Sequence, residues 1–279
     1  MIKSFISIAF LVFTFAYRTS SQEPNNLNTA FAILRDARNA IGLDWEKSNL
    51  RGLHLTQREV TETTNISREF WVSSPDKLYA TFALVPSSKT INIWNGEKYR
   101  RNYEMNLNGK VIRKSMLDAI DAANSKKSAP DSEDIKKRNE YLMNLWVHVF
   151  PYTLNPSFEP EAKFVYIGKA EAKNGISANV IDVKSALTSK IRLFFDEKSK
   201  FLLMMWVTSD LKDGLNYQTR TYYNDFRLKN GAMLPSAIQS EGLEIDQSGA
   251  ISKKYVTDFI FIDEFQLNPK IDESLFDAD

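Results

Sequence analysis

The sequence predicts an α+β fold, an antiparallel meander with helices packed against it. Three observations carry this. Apolar residues alternate with a period of 2 through two long stretches, before about residue 105 and after Tyr152. Helical spacing appears instead near the start and in the middle. Turn residues separate the alternating segments at intervals of about 10–15 residues, as in a meander. Helices inserted in such a series give α+β rather than α/β.

The elements follow in order. Leu27 to Ile41 keeps apolar residues Leu27, Ala30, Phe31, Leu34, Ala37 and Ile41 at helical spacing, and Gly42 stops it. Leu53–Leu55, Phe70–Val72, Leu78–Leu84 and Ile91–Trp94 read as strands. Asn95-Gly96 is a hairpin signal joining Ile91–Trp94 to Lys98–Tyr103. Val111 to Ala123 reads as a helix with Ile112, Met116, Ala119 and Ile120 on one face, and Asn124 to Asp131 as a polar linker. Ser132 caps a further helix carrying Ile135, Tyr141, Leu142, Leu145, Trp146 and Val149, which Pro151 ends. Strands are then expected at 164–167, 176–183, 191–195, 201–207, 217–226, 232–241 and 255–265, divided by Asn174-Gly175, Asp196–Lys200, Asp213-Gly214, Asn230-Gly231 and Ser248-Gly249.

Residues 1–22 have the order of a secretory signal peptide. Lys3 precedes a 13-residue apolar run, Phe5 to Tyr17, and Arg18-Thr-Ser-Ser-Gln22 follows it. That run is shorter than the roughly 20 residues a spanning helix needs. The expected organisation is a leader at 1–22 and one domain at 23–279, with a helical insert at about 110–151. The expected location is outside the cytoplasm, across the inner membrane and in the periplasm, as a monomer.

Composition narrows the chemistry. Cysteine is absent, which excludes thiolate metal sites and cysteine nucleophiles. Of 36 basic residues, Lys3 and Arg18 leave with the leader; the remaining 34 face 35 acidic ones, a net of −1. That balance does not attract nucleic acid. His54 and His148 lie in different elements without close acidic or histidine partners in sequence. No serine sits in a nucleophile elbow, and no glycine-rich phosphate loop occurs. The neighbouring acids Asp118 and Asp121, Glu133 and Asp134, and Asp263 and Glu264 read as solvated faces or helix starts. The chain is expected to be no enzyme and to need no cofactor or metal.

What these exclusions leave is a binding protein. A sheet covered by apolar helices has a space between its layers. Phe82, Leu84, Trp94, Phe195, Met204 and Trp206 are the candidates to line it from the sheet. Met116, Ile120, Leu142 and Trp146 are the candidates from the helices. Methionine is soft enough to suit variable acyl chains.

Short segments across most of the chain resemble the LolA/LolB type of outer-membrane lipoprotein-sorting protein. They are Pro75-Asp-Lys-Leu-Tyr79, Ile93-Trp-Asn-Gly-Glu97, Tyr166-Ile-Gly-Lys169, Gly175–Ile181, Ile191–Asp196, Lys200-Phe-Leu202, Tyr223-Asn-Asp-Phe226 with Gly231–Pro235, and Phe265–Pro269 with Ile271–Phe276. Tyr79 departs from the basic residue usual in that family. The resemblance implies a half-open antiparallel β-barrel with a helical lid. It also implies a periplasmic carrier whose apolar cavity takes lipid or lipoprotein acyl chains. Two alternatives stand beside it: an envelope protein-interaction or stress-sensing module of RseB-like type, and a secreted hydrolase using paired carboxylates.

Overall fold

The computed structural model describes residues 23–43, 50–61, 64–73, 76–84, 87–107, 110–115, 130–187, 190–210, 216–246, 248–255 and 259–277. The leader expected at 1–22, Met116, Ile120, the polar linker expected up to residue 129 and the turn expected at Asp213-Gly214 lie outside the described residues. Helix α1 is Glu23–Ala40. Strands β1 Gly52–Val60, β2 Asn65–Ser73, β3 Lys77–Leu84, β4 Ser88–Asn95, β5 Tyr99–Leu107 and β6 Lys110–Ser115 follow. Helices α2 Pro130–His148 and α3 Phe150–Thr153 come next. The rest is β7 Lys163–Glu171, β8 Ser177–Lys184, β9 Lys190–Asp196, β10 Leu202–Asp210, β11 Asn216–Lys229, β12 Ala232–Ile245, β13 Ile251–Tyr255 and β14 Phe259–Leu267.

Among the described residues fourteen strands form one antiparallel sheet, in the order β6-β5-β4-β3-β2-β1-β14-β12-β11-β10-β9-β8-β7, with β13 attached to β12. The C-terminal β14 joins the two meanders, pairing with β1 on one side and β12 on the other. Among the described residues the sheet does not close: β6 and β7 stand at opposite ends of that order.

The expectation for residues 111–123 is corrected. The helix read over 111–123 is a strand over its first residues, because Lys110–Ser115 pairs with Asn102–Leu107. The sequence between those strands is Asn108-Gly109, the pair best suited to a two-residue hairpin. A β-branched pair, Val111-Ile112, suits a strand as well as a helix face, and pairing with β5 decides it.

The local rules hold elsewhere. Ala30, Leu34 and Ala37 of α1, with Ile41 just past its end, form one buried stripe. Leu27 and Phe31, expected on that stripe, are 40% and 44% exposed. Gly42 ends the helix with φ +87°, and a Cβ there would lie 2.8 Å from the Gly231 carbonyl oxygen. Only glycine fits both demands. At Asn95-Gly96 the Asn95 side chain accepts from the Glu97 and Lys98 amides, at 3.1 and 2.8 Å. Asn230 and Gly231 both have positive φ, as a type I′ turn between β11 and β12 requires. Pro151 falls in the first turn of α3 rather than in α2, and Leu154 closes α3 in the left-handed region.

Side chains of α1, α2 and α3 pack with one face of the sheet in a single apolar cluster. From the sheet come Leu53, Leu55, Phe70, Phe195, Met205 and Phe265; from the helices come Leu34, Leu142, Leu145, Trp146 and Phe150. This face is called inner below. A smaller cluster of Ala172, Ala178, Val180, Phe194 and Met204 lies on the outer face.

Candidate functional site

The inner layer under α2 and α3 is the candidate site. Trp146 lies at its centre, fully buried, with Phe150, Phe158 and Phe164 around its ring at centroid distances of 4.7, 5.4 and 6.0 Å. Its Nε1 donates to Glu159 Oε2 at 2.7 Å, and Glu159 Oε1 accepts from the Ala186 amide at 2.8 Å. One buried carboxylate thus ties α2 to the β8–β9 connection. Tyr141, one turn earlier in α2, stacks on Trp94 at 4.9 Å. Glu140 pairs with Arg101 of β5.

Polar groups also enter this layer. In β1 the inward phase runs Leu53, Leu55, Gln57, Glu59, so two polar residues continue an apolar alternation. Gln57 Nε2 donates to the Tyr152 hydroxyl of α3 at 2.5 Å. Glu59 pairs with Arg68 of β2, whose guanidinium also lies 5.8 Å from the Phe82 ring. His148 stacks on Phe70 at 4.8 Å and meets Phe82 edge-on at 5.9 Å. Burial, and then the Arg68 charge, hold His148 well below its ordinary value, so the ring is neutral at neutral pH. Burial raises the Tyr152 phenol against the opposing Gln57 hydrogen bond and Arg68 charge. Burial first, and then Tyr152, raise Tyr223 of β11. Both phenols therefore stay protonated and can donate.

A crevice of about 20 Å³, the scale of one water, opens where α3 meets β1 and β2, lined by Leu53, Val72, Val149, Thr153 and Phe158 among others. The candidates from the sequence separate into groups. Leu142, Trp146 and Phe195 are buried together in the inner cluster, and Phe82 and Trp94 pack against it. Leu84 is 37% exposed. Met116 and Ile120 lie outside the described residues. Met204 and Trp206 lie on the outer face, with Phe194 4.6 Å from the Trp206 ring and Arg192 and Arg220 at 5.9 and 4.6 Å from it. The inward positions of β10 are instead Leu202, Met205 and Val207.

Glu159, Gln57, Arg68, Tyr152 and Tyr223 were not singled out from the sequence. The polar residues Gln57 and Glu59, at inward positions of β1, are the signal that could have found one of them, Gln57. His54 is buried on the outer face, stacked on Trp71 at 3.8 Å, with its Nε2 3.2 Å from Glu69 Oε1. The same oxygen accepts from Trp71 Nε1 at 2.8 Å. Among the described residues no three His, Asp or Glu side chains converge as metal ligands. No helix among them is long and apolar enough to cross a membrane.

An unclosed antiparallel sheet with a helical cover over one apolar face is a two-layer scaffold. Solved structures are similar to this chain at low identity. One is a LolA superfamily protein, NE2245 from Nitrosomonas europaea, with 12% identity over 88% of this chain and 96% of that one, at a TM-score of 0.47. Another is MucB in the Pseudomonas aeruginosa MucA/MucB complex, with 10% identity over 84% of this chain and 92% of that one, at a TM-score of 0.22. No family model matches the sequence, and no curated protein matches it.

Proposed function

We propose that this chain is a non-catalytic binding protein or carrier that takes an acyl-type apolar group between its sheet and α2–α3. It acts outside the cytoplasm once residues 1–22 are removed. One observation carries the proposal: the way the helical cover is attached. Backbone bonds in the segment stay within it, from Val149 to Leu145, Tyr152 to Val149 and Leu154 to Phe150. Among the described residues, the ties from α2 and α3 to the sheet strands are side-chain contacts, Gln57 to Tyr152, Arg101 to Glu140 and the aromatic stacks. A cover held by packing can swing from an apolar sheet face without breaking the ladder. The exposed face then offers Leu53, Leu55, Phe70, Phe195, Met205 and Phe265 to an acyl chain. Burying such a chain contributes about 0.8 kcal/mol per CH₂ before ordering costs.

A second reading, a module that docks a protein partner, is favoured by Val60, Phe259 and Phe261. Val60 and Phe259 are paired, Phe261 lies two residues further along β14, and all three are exposed on the outer face. Native mass spectrometry of gently purified protein separates the two. A mass excess that organic solvent extracts as acyl lipid supports the carrier. A bound polypeptide supports the docking module, and protein that stays lipid-free when offered acyl lipids contradicts the carrier.

A further inference from the structure

The polar groups sealed beneath α3 are out of place in a layer that binds only hydrocarbon. Gln57 and Tyr223 are 2% and 3% exposed. Gln57 Oε1 and the Tyr223 hydroxyl have no hydrogen-bond partner among the described residues. Native interiors pair nearly all such atoms, and each exception needs a reason. The sheet brings them into the same region. Tyr223 is in register with Ile238, Ile238 with Ile260, and Ile260 with Glu59, two residues from Gln57. Tyr152 interacts electrostatically with Tyr223 and is hydrogen-bonded to Gln57. Because the Tyr152 oxygen accepts from Gln57, its own proton remains available. Glu59 is matched by Arg68, so the surroundings carry no net charge from that pair.

We propose that Gln57, Tyr152 and Tyr223 form an anchor for the neutral ester or amide that joins an acyl chain to its headgroup. The two phenols donate to the linkage carbonyl, and Gln57 Oε1 accepts from the N–H where the linkage is an amide. A free carboxylate is disfavoured, since the anchor supplies neutral donors only and burying an unpaired charge is costly. The proposal rests on the carrier reading and specifies the ligand class for that same layer.

The test compares two probes that differ only at the carbonyl: monolaurin, an ester, and dodecyl glyceryl ether. Each is titrated against the full mature chain by displacement of the apolar dye N-phenylnaphthylamine. The wild type binds the ester about tenfold tighter than the ether, the scale of one well-placed hydrogen bond. Tyr223→Phe and Tyr152→Phe, each removing one donor to the carbonyl, each reduce that ratio towards unity. Both substitutions keep the ring, and Tyr152→Phe is a second variant should the first fail to fold. Equal binding of ester and ether by the wild type overturns the anchor and leaves the carrier reading standing. Binding of neither probe nor dye overturns both.

Discussion

Replacing Glu159 by Gln should loosen the helical cover more than any exposed charge change can. Its carboxylate accepts from Trp146 Nε1 at 2.7 Å and from the Ala186 amide at 2.8 Å, in a residue only 2% exposed. Both donors are N–H groups, so an acceptor is needed at each oxygen. Glutamine keeps one oxygen and turns an NH₂ towards the other donor. One charge-assisted bond, worth about 1.5–3 kcal/mol, is lost, and the remaining one weakens to a neutral bond. The expected loss is about 2–3 kcal/mol. For a chain of this size that is a drop of roughly 5–10 °C in Tm, read by near-UV circular dichroism. Glu161→Gln, two residues on and exposed, is the control and should stay within about 0.5 kcal/mol of wild type. A Glu159→Gln protein melting within about 2 °C of wild type would show that the carboxylate does not hold Trp146, and the reasoning fails.

Other outcomes follow from the same geometry. His148 is held below its ordinary 6.5 by burial and then by Arg68, so below that pH the unfolded chain binds a proton that the folded chain refuses. Stability is therefore lost on acidification through about pH 6.5, by up to about 1.4 kcal/mol per unit. His148→Phe, which can still stack on Phe70, should flatten the slope of denaturation midpoints between about pH 6.5 and 5; an unchanged slope would contradict the buried neutral ring. Gly42→Ala, forcing a Cβ to 2.8 Å from the Gly231 carbonyl at φ +87°, should cost about 1–3 kcal/mol in urea titration. Trp206→Ala removes a ring from the outer face and should lower Tm while leaving dye affinity within about twofold; a tenfold loss of binding would place Trp206 in the site after all.

Much of the fold was legible because two periods carry most of its information. Ala30, Leu34, Ala37 and Ile41 mark one helix stripe, and Asn95-Gly96 and Asn230-Gly231 mark hairpins where positive φ is required. The segment after Gly109 was misread because Ile112, Met116 and Ile120 satisfy helical spacing, while β pairing is a non-local fact supplied by β5. The assignment of faces in β10 slipped for a local reason. The register with β9 shifts between Leu202 and Met204, so Leu202 pairs with Phe195 and Met204 with Phe194. One extra residue inverts the alternation, putting Met205 and Val207 inward and Met204 and Trp206 outward. The buried polar partners were illegible for a third reason. Gln57 and Tyr152 lie 95 residues apart, and no spacing rule joins a strand residue to a helix that folds over it.

The most direct test of the acyl site is to ask which tryptophan a bound acyl chain touches. The chain has five, Trp45, Trp71, Trp94, Trp146 and Trp206. Two proteins would each keep one of them, Trp146 or Trp206, with the other four changed to Phe. Each is titrated with a monoacylglycerol brominated near the end of its chain, since bromine quenches indole emission only at contact range. The proposed function predicts saturable quenching of Trp146, inside the layer, and no quenching of Trp206 on the outer face. Quenching of Trp206 with Trp146 silent, or of neither, would contradict it.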